Sequence, residues 1–425
     1  MSRNLYHDAK IKCKMNVITY LLKCLNFLRF MGKIYAVWPL KTDDNIRWRF
    51  VYECLWWFYF LNYLVAASFT LNTCGHASDD ITIASFSWLE FVSMVESIII
   101  LINYKCYHVT LQLLLTEVED YLTLADEKKQ WVLKEKASIF AVMMCIITFL
   151  YFVLVVLYFT NPAITAWETF LTTSYYPPAI RSPVMDVFLF SNQLIVMCHT
   201  SVIVNLDAMV VLLIYICSVR LKVLAADLES VNDDEELKQR IREHQHILCL
   251  AKKTNIAVRL VVSKTVICFI SYTVGAGLQL VNPTATVASL QRFGIVLLIN
   301  YVRLIMNATS ADELLTVSRN VGLSIYSTDW YGESKIVTSS KFIVMLRCQK
   351  LVRIHVDGVM PALTLTFITG VSLTMNFLIR FTFVLFLIFC VMSNADNIHV
   401  DILLYHTQSC HKTKLNVAAN RNLLW

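Results

Sequence analysis

The chain has 425 residues, of which 57% are hydrophobic and only 16% are charged, and its formal net charge at pH 7 is +6. Average soluble domains carry about 25% charged residues, so this composition excludes an ordinary water-soluble domain and predicts an integral membrane protein. The modest positive charge predicts no nucleic-acid partner, because loops that orient a membrane protein account for it.

The first apolar segment, residues 15–30, is not expected to be a cleaved signal peptide. Lys23 and Arg29 interrupt it, and it has no small-residue cleavage site. We expect instead an amphipathic helix that lies on the cytoplasmic surface of the membrane.

Seven later segments reach the length of about 20 mainly apolar residues that a transmembrane helix requires. They predict an all-α membrane protein with seven transmembrane helices. The first six predicted spans are residues 50–71, 81–103, 137–159, 187–217, 260–281 and 287–306, and the seventh begins near Val359.

The basic residues lie mainly on one side of these spans. Ten Lys and Arg precede the first span, and five, eight and six follow the second, fourth and sixth spans, so 29 of the 37 share one side. The loops on the other side contain Arg181 alone. Because cytoplasmic loops are enriched in Lys and Arg, the N-terminus is predicted to be cytoplasmic, which is the reverse of a G-protein-coupled receptor.

Two cytoplasmic segments are predicted to be ordered. Residues 221–257 carry Leu237, Ile241 and Leu248 at helical spacing, so spans four and five should continue as helices below the membrane. Residues 308–353 are too long and too apolar for a simple turn. Together these segments predict a cytoplasmic helical anchor layer built from spans 4–7, where subunits can meet.

The sequence contains no Walker loop, no GxGxxG, no HExxH and no paired CxxC. His244 and His246 point about 200° apart on a helix and are poorly placed to share a metal ion. Only Cys74 and Cys410 among the 13 cysteines fall in an outer loop or the tail, so no disulfide framework is expected. We therefore expect no enzyme activity, no cofactor and no metal site.

Ionisable residues inside predicted spans are functional candidates. Asp207 and Lys264 lie toward the cytoplasmic half of neighbouring spans, so we predict a structural ion pair, with a role in an ion path as the alternative. Glu96 lies in mid-span and either faces a water-filled vestibule or is neutralised by a neighbour. The full set is Glu90, Glu96, Asp207, Lys264 and Arg303.

The outer halves of spans two, three, four and six are rich in aromatic and small polar side chains. A mostly apolar pocket with a few polar groups suits a small volatile ligand, and aromatic rings provide a large contact area. Anchoring at the membrane interface or helix packing is the alternative role for each residue taken singly. The predicted ligand-binding residues are Phe86, Trp88, Leu89, Tyr151, Phe152, Val155, Tyr158, Phe159, Phe188, Phe190, Asn192 and Phe293.

Several segments resemble the insect odorant receptors in their order and spacing. The likeness covers about residues 10–372. The segments are FLRFMGKIYAVWPL at 27–40, EHQHILCLAKKTN at 243–255, ADELLTVSRNVGLSIYSTDWYG at 311–332 and FIVMLRCQKLVRIHVDG at 342–358.

This resemblance implies an odorant-gated, nonselective cation channel in the plasma membrane of olfactory sensory neurons. It implies a heterotetramer with a shared co-receptor, and this chain resembles a ligand-tuning subunit because the co-receptor has a longer cytoplasmic loop after span four. Odorant would bind in the outer half of one subunit. The implied subunit-anchor residues are Trp330, Arg347, Gln349 and Lys350, and the implied pore-lining residues are Thr364, Thr366, Ile368 and Thr369.

The C-terminal end departs from the family pattern after about Leu373, where the usual aromatic run is absent. Residues 381–392 are too short to cross a bilayer alone. We hypothesise that residues after about Ser372 come from a mis-spliced or read-through exon, with a genuine extension of span seven as the alternative. The expected organisation is an N-terminal segment at 1–49, the seven-span domain at 50–379 and an atypical extension at 380–425.

Two other functions are alternatives. A gustatory receptor of the same superfamily usually carries Thr-Tyr-x-x-x-x-x-Gln-Phe in span seven, and this sequence lacks that motif. A small-molecule transporter would show internal repeats and interrupted spans at matching positions, which we do not find.

The charge asymmetry predicts that the N-terminus lies inside the cell. An antibody against an N-terminal epitope tag should stain only permeabilised cells, whereas a tag inserted into the loop at residues 72–80 should be stained on intact cells. Staining of the N-terminal tag on intact cells would contradict the predicted orientation.

Overall fold

A computed structural model describes residues 18–19, 21–40, 45–76, 80–124, 131–133, 142, 145–158, 171–200, 202–231, 234–283, 285–328, 334–356 and 362–374. The regular structure of these residues is helical, as the sequence predicts. The helices are α1 (21–34), α2 (Ile46–His76), α3 (Ile81–Thr123), α4 (Cys145–Tyr158), α5 (Pro183–Thr200), α6 (Val202–Leu228), α7 (Asp234–Val281), α8 (Val287–Tyr326), α9 (Lys335–Cys348) and α10 (Leu365–Thr374), with a 3-10 turn at Pro178–Ile180.

Within the described part of the chain, five helices are long and apolar enough to cross a membrane, namely α2, α3, α6, α7 and α8. Predicted spans one, two, five and six lie within α2, α3, α7 and α8 and are confirmed as helices. Each helix is longer than its predicted span, because the backbone continues in helical form beyond the apolar stretch. Predicted span three is described at residue 142 and over α4, and predicted span seven over residues 362–364 and α10. Their other residues lie outside the described chain.

The span predicted over residues 187–217 is described as helix over α5 and α6, and residue 201 between them lies outside the described chain. Thr200, the last residue of α5, donates its Oγ1 hydroxyl to the carbonyl of Val196 at 2.9 Å.

Helix α6 occupies the centre of the bundle. Nearly all of its side chains from Leu206 to Leu228 are buried, as expected for a helix that is apolar on all faces. It packs against α7 and α8, while α3 packs against α2 and α7. Helix α2 lies at the periphery, since Trp48, Phe58 and Leu61 are exposed, as on a lipid-facing surface.

The inner ends of α3, α6, α7 and α8 extend together beyond the apolar region, which confirms the predicted continuation of spans four and five. Arg220 of α6 donates to Glu117 of α3 at 2.7 Å, and Arg240 of α7 lies 3.1 Å from Asp227 of α6. Burial acts to raise the pKa of Glu117, but hydrogen bonds and charge from Arg220 and His246 outweigh burial and hold that pKa below its ordinary value.

Helix α1 is amphipathic over its described residues, as predicted for the segment 15–30. Leu21, Leu25 and Leu28 are buried against the bundle, whereas Phe27 and Phe30 are exposed. Contact of the exposed phenylalanines with the membrane surface stays a prediction.

Two glycines of α8 allow a matched test of the packing between α8 and α9. A Cβ added at Gly322 would lie 3.0 Å from the Cβ of Cys348 on α9, whereas a Cβ added at Gly294 would have no neighbour within 4 Å. We expect Gly322→Val to separate the helices and to destabilise the fold by about 1–3 kcal/mol, and Gly294→Val to be tolerated. Thermal unfolding in detergent measures both, and equal midpoints would contradict the described contact.

Candidate functional site

A cavity of about 90 Å³ lies inside the bundle between α3, α4, α5, α7 and α8. Its outer part is apolar and its deeper part is polar and charged. The apolar wall includes Leu89, Leu154, Val155, Tyr158, Val296 and Ile299, and the polar part includes Ser93, Glu96, Gln193, Tyr272, Asn300 and Arg303.

Helical spacing explains why these side chains meet at the cavity. Residues at i, i+4 and i+7 lie on one face of a helix. On each of two helices, the apolar member lies toward the outer end and the charged member lies deeper. The two sets are Leu89, Ser93 and Glu96 on α3, and Val296, Asn300 and Arg303 on α8.

Glu96 and Arg303 form the charged floor of the cavity, and two more buried charges from two further helices pair with them. Glu96 of α3 forms ion pairs with both Lys264 of α7 and Arg303 of α8. Asp207 of α6 pairs with the Arg303 Nε and lies 3.5 Å from the Lys264 Nζ. We name these four residues the charge cluster; its two carboxylates and two cations give a formal net charge of zero.

The charge cluster confirms the predicted pair of Asp207 and Lys264 and extends it. Glu96 is neutralised by neighbours, which confirms the second of the two alternatives for this residue, and it also lines the cavity. Burying an ion costs several kcal/mol, and only close partners offset that cost. The cluster is therefore expected to hold its four helices in one register.

Polar side chains connect the charge cluster to the cavity wall. The Arg303 Nη1 donates to the Asn300 Oδ1 at 2.8 Å. The Tyr272 hydroxyl donates to the Glu96 Oε2 at 3.5 Å and lies 3.0 Å from the Ser93 hydroxyl. A ligand that exchanges hydrogen bonds with Asn300 or Tyr272 would therefore touch a group bonded directly to the cluster.

A loop at residues 171–176 contributes Thr172 to the lining of the cavity. Gln193 of α5 accepts from the backbone N–H of Leu171 at 2.9 Å and donates to the Tyr176 hydroxyl at 3.0 Å. Glu90 of α3 accepts from the Thr173 backbone N–H at 3.0 Å and from its hydroxyl at 2.9 Å. The intramembrane acid Glu90 thus has a structural role, because it satisfies polar groups of the buried loop.

The structure places the predicted ligand-binding residues in different environments. Leu89, Tyr151, Val155 and Tyr158 line the cavity. Phe86 and Phe293 pack against each other beside it, with ring centroids 4.8 Å apart. Trp88, Phe152 and Phe188 expose 40%, 66% and 64% of their surface, and Phe190 is half-buried. Asn192 forms hydrogen bonds with Asn62. Phe159 lies outside the described residues.

Sequence reasoning missed the cavity residues of α5 and α7. Gln193, Val196 and Thr200 of α5 have the spacing of one helix face, and Tyr272 lies two turns from Lys264 on α7. The signal that could have found them is this spacing, once Lys264 is taken to mark the inward face of α7.

The predicted anchor and pore residues lie apart from the cavity. Arg347, Gln349 and Lys350 are exposed at the end of α9, and Trp330 lies outside the described residues. On α10, Thr366 and Thr369 are exposed and Ile368 is buried, and Thr364, just before the helix, is half-buried. Their roles in assembly and conduction stay predictions.

Removal of one member of the charge cluster should cost far more than removal of a balanced pair. Glu96→Gln leaves two buried cations against one carboxylate, and we expect a loss of about 3–5 kcal/mol. Lys264→Met in the same chain restores the balance and should recover most of that loss. Thermal unfolding of the two single variants and the double variant measures the coupling; additive losses would contradict the cluster.

Comparisons with known proteins agree with this architecture. A family model described as 7tm Odorant receptor matches residues 77–375. The fold is similar to the insect olfactory receptor OR5 from Machilis hrabei in complex with eugenol, with a TM-score of 0.71 and 16% identity over 87% of this chain and 99% of that one. A second structure of OR5 from Machilis hrabei gives a TM-score of 0.72 and 14% identity, over 86% of this chain and 98% of that one. No curated protein sequence matches. The chain therefore belongs to the 7tm odorant receptor family.

Proposed function

We propose that this odorant receptor is a ligand-tuning subunit that binds a small volatile molecule in the cavity. Binding gates a nonselective cation channel formed with a co-receptor in the plasma membrane of olfactory sensory neurons. The observation that carries the proposal is the combination of an apolar wall with a polar, internally neutralised floor.

The chemistry of the cavity favours a neutral ligand with an apolar body and one hydrogen-bonding group. The charge cluster is already balanced, so an ionic ligand would find no unmatched charge there. Asn300, Tyr272 and Ser93 offer hydrogen bonds, while Leu89 and Val155 offer apolar contact. The cavity of about 90 Å³ is smaller than a cavity of roughly 150 Å³ that binds benzene, so an aromatic volatile requires the cavity to widen when it binds.

The similar structure of OR5 holds eugenol, and a comparable small aromatic volatile is a reasonable first ligand to test on this chain. Tyr151 and Tyr158 of α4 provide rings at the cavity wall, and aromatic rings attract one another in offset or edge-to-face geometry.

Exposed polar residues at the end of α9 and on α10 support the proposal that several subunits assemble into a channel. Arg347, Gln349 and Lys350 lie exposed in the cytoplasmic layer, where a second subunit can contact them. The hydroxyl groups of Thr366 and Thr369 lie exposed on an otherwise apolar short helix, which is more favourable beside water than beside lipid.

Two neighbouring valines of α4 provide a matched test of the cavity. Val155 lines it, whereas Val156 is exposed on the outside of the helix. Val155→Phe should fill the cavity and raise the half-maximal volatile concentration by about tenfold or more, equivalent to about 1.4 kcal/mol of lost binding. Val156→Phe should leave it unchanged.

The measurement is whole-cell current from cells that express each variant with and without an insect co-receptor, under a panel of volatiles that includes eugenol. We expect a cation current that requires the co-receptor. Equal shifts for the two valine variants, at equal surface expression, would contradict binding in this cavity. A complete lack of response from the wild-type chain would contradict the proposed function.

A further inference from the structure

A second, larger space opens on the side of the bundle between α2, α5 and the loop at residues 171–176. This lateral groove has a volume of about 330 Å³ and is mainly apolar. Phe58, Leu61 and Val65 of α2 and Phe188 of α5 line it and are also exposed on the surface of the chain. In the predicted orientation the lateral groove therefore faces the lipid of the outer leaflet.

The lateral groove and the cavity share a thin wall. The same four side chains, Met94, Thr172, Gln193 and Val196, line both spaces. A passage between the two spaces would therefore lead past these four side chains.

The four wall residues differ in their freedom to move. Gln193 is held by its bonds to the Leu171 N–H and the Tyr176 hydroxyl, and Val196 is β-branched and stiff. Met94 is unbranched and has three rotatable bonds. Met94 is thus the most adaptable part of the wall.

The lateral groove also offers a polar contact. Asn62 of α2 and Asn192 of α5 exchange two hydrogen bonds of 2.9 Å each, and both residues line the groove. A hydroxyl or carbonyl group on an otherwise apolar molecule can exchange hydrogen bonds with this amide pair, while its apolar body contacts Phe69 and Leu189.

From this geometry we infer that the lateral groove is a membrane-facing access site, where a neutral volatile molecule dissolved in the outer leaflet binds before it passes Met94 into the cavity. The inference rests on the proposed function of the cavity. An apolar molecule is more concentrated in the bilayer than in water, because its transfer out of water is favourable. A route from the lipid therefore supplies the cavity from the phase that holds more ligand.

An access route makes a specific kinetic prediction. A change that narrows the route alters the rates of binding and release by the same factor and leaves the equilibrium affinity unchanged. Ala66 lines the lateral groove and not the cavity, while Leu64 on the same helix is exposed and lines neither space. Ala66→Phe and Leu64→Phe are therefore a matched pair.

The experiment records current onset and washout with the panel volatile that evokes the largest current in the wild-type receptor. Ala66→Phe should slow both rates by about tenfold, corresponding to about 1.4 kcal/mol of added barrier, with an unchanged half-maximal concentration. Leu64→Phe should match the wild type. Phe69→Ala, which widens the groove, should speed both rates.

Other outcomes contradict the inference in distinguishable ways. Unchanged rates in Ala66→Phe and Phe69→Ala, with normal responses, would show that ligand reaches the cavity by another route, while the proposed function stands. A shifted half-maximal concentration without a change of rates would show that the groove acts on affinity instead. A wild-type receptor that responds to no volatile would contradict the proposed function, and this inference with it.

Discussion

The charge cluster is the interaction on which the rest of the bundle depends. Within lipid, apolar surfaces gain little by leaving the solvent, so helices are held by close packing and polar contacts. Glu96, Asp207, Lys264 and Arg303 connect α3, α6, α7 and α8 at one depth. Because an unpaired charge at that depth costs several kcal/mol, these helices cannot slide past one another without loss of the pairs, and the depth of the cavity floor is set by the same contacts.

The helices joined by the charge cluster also form the cytoplasmic layer. Helix α8 runs without interruption from the cavity wall at Val296, through Arg303, to Tyr326 beside α9. Asn300 bonds to Arg303, which in turn contacts α3 and α6. A ligand at Asn300 is therefore separated by two polar contacts from α3 and α6, which continue with α8 toward the layer where subunits are expected to meet.

The outer half of the bundle uses its polar residues differently. Glu90 and Gln193 hold the loop at residues 171–176 in place, and Thr172 of this loop lines the cavity. Glu90 thus stabilises the loop, whereas Glu96, less than two helical turns away on the same helix, forms ion pairs that connect helices. The contrast shows that an ionisable residue in a predicted span indicates a specific polar partner, but the sequence does not show whether that partner is a loop or another helix.

The sequence by itself determined the helical class, the approximate place of most spans and the continuation of spans four and five below the membrane. These features follow from local composition, because the bilayer requires a minimum apolar length of every crossing helix. Only the tertiary structure decided which way each helix faces. Tyr151 lines the cavity while Phe152 is exposed, and Val155 and Val156 differ in the same way. Adjacent residues lie about 100° apart on a helix, so the rotation of a helix about its axis, set by packing against helices distant in sequence, decides which of two similar neighbours reaches the ligand.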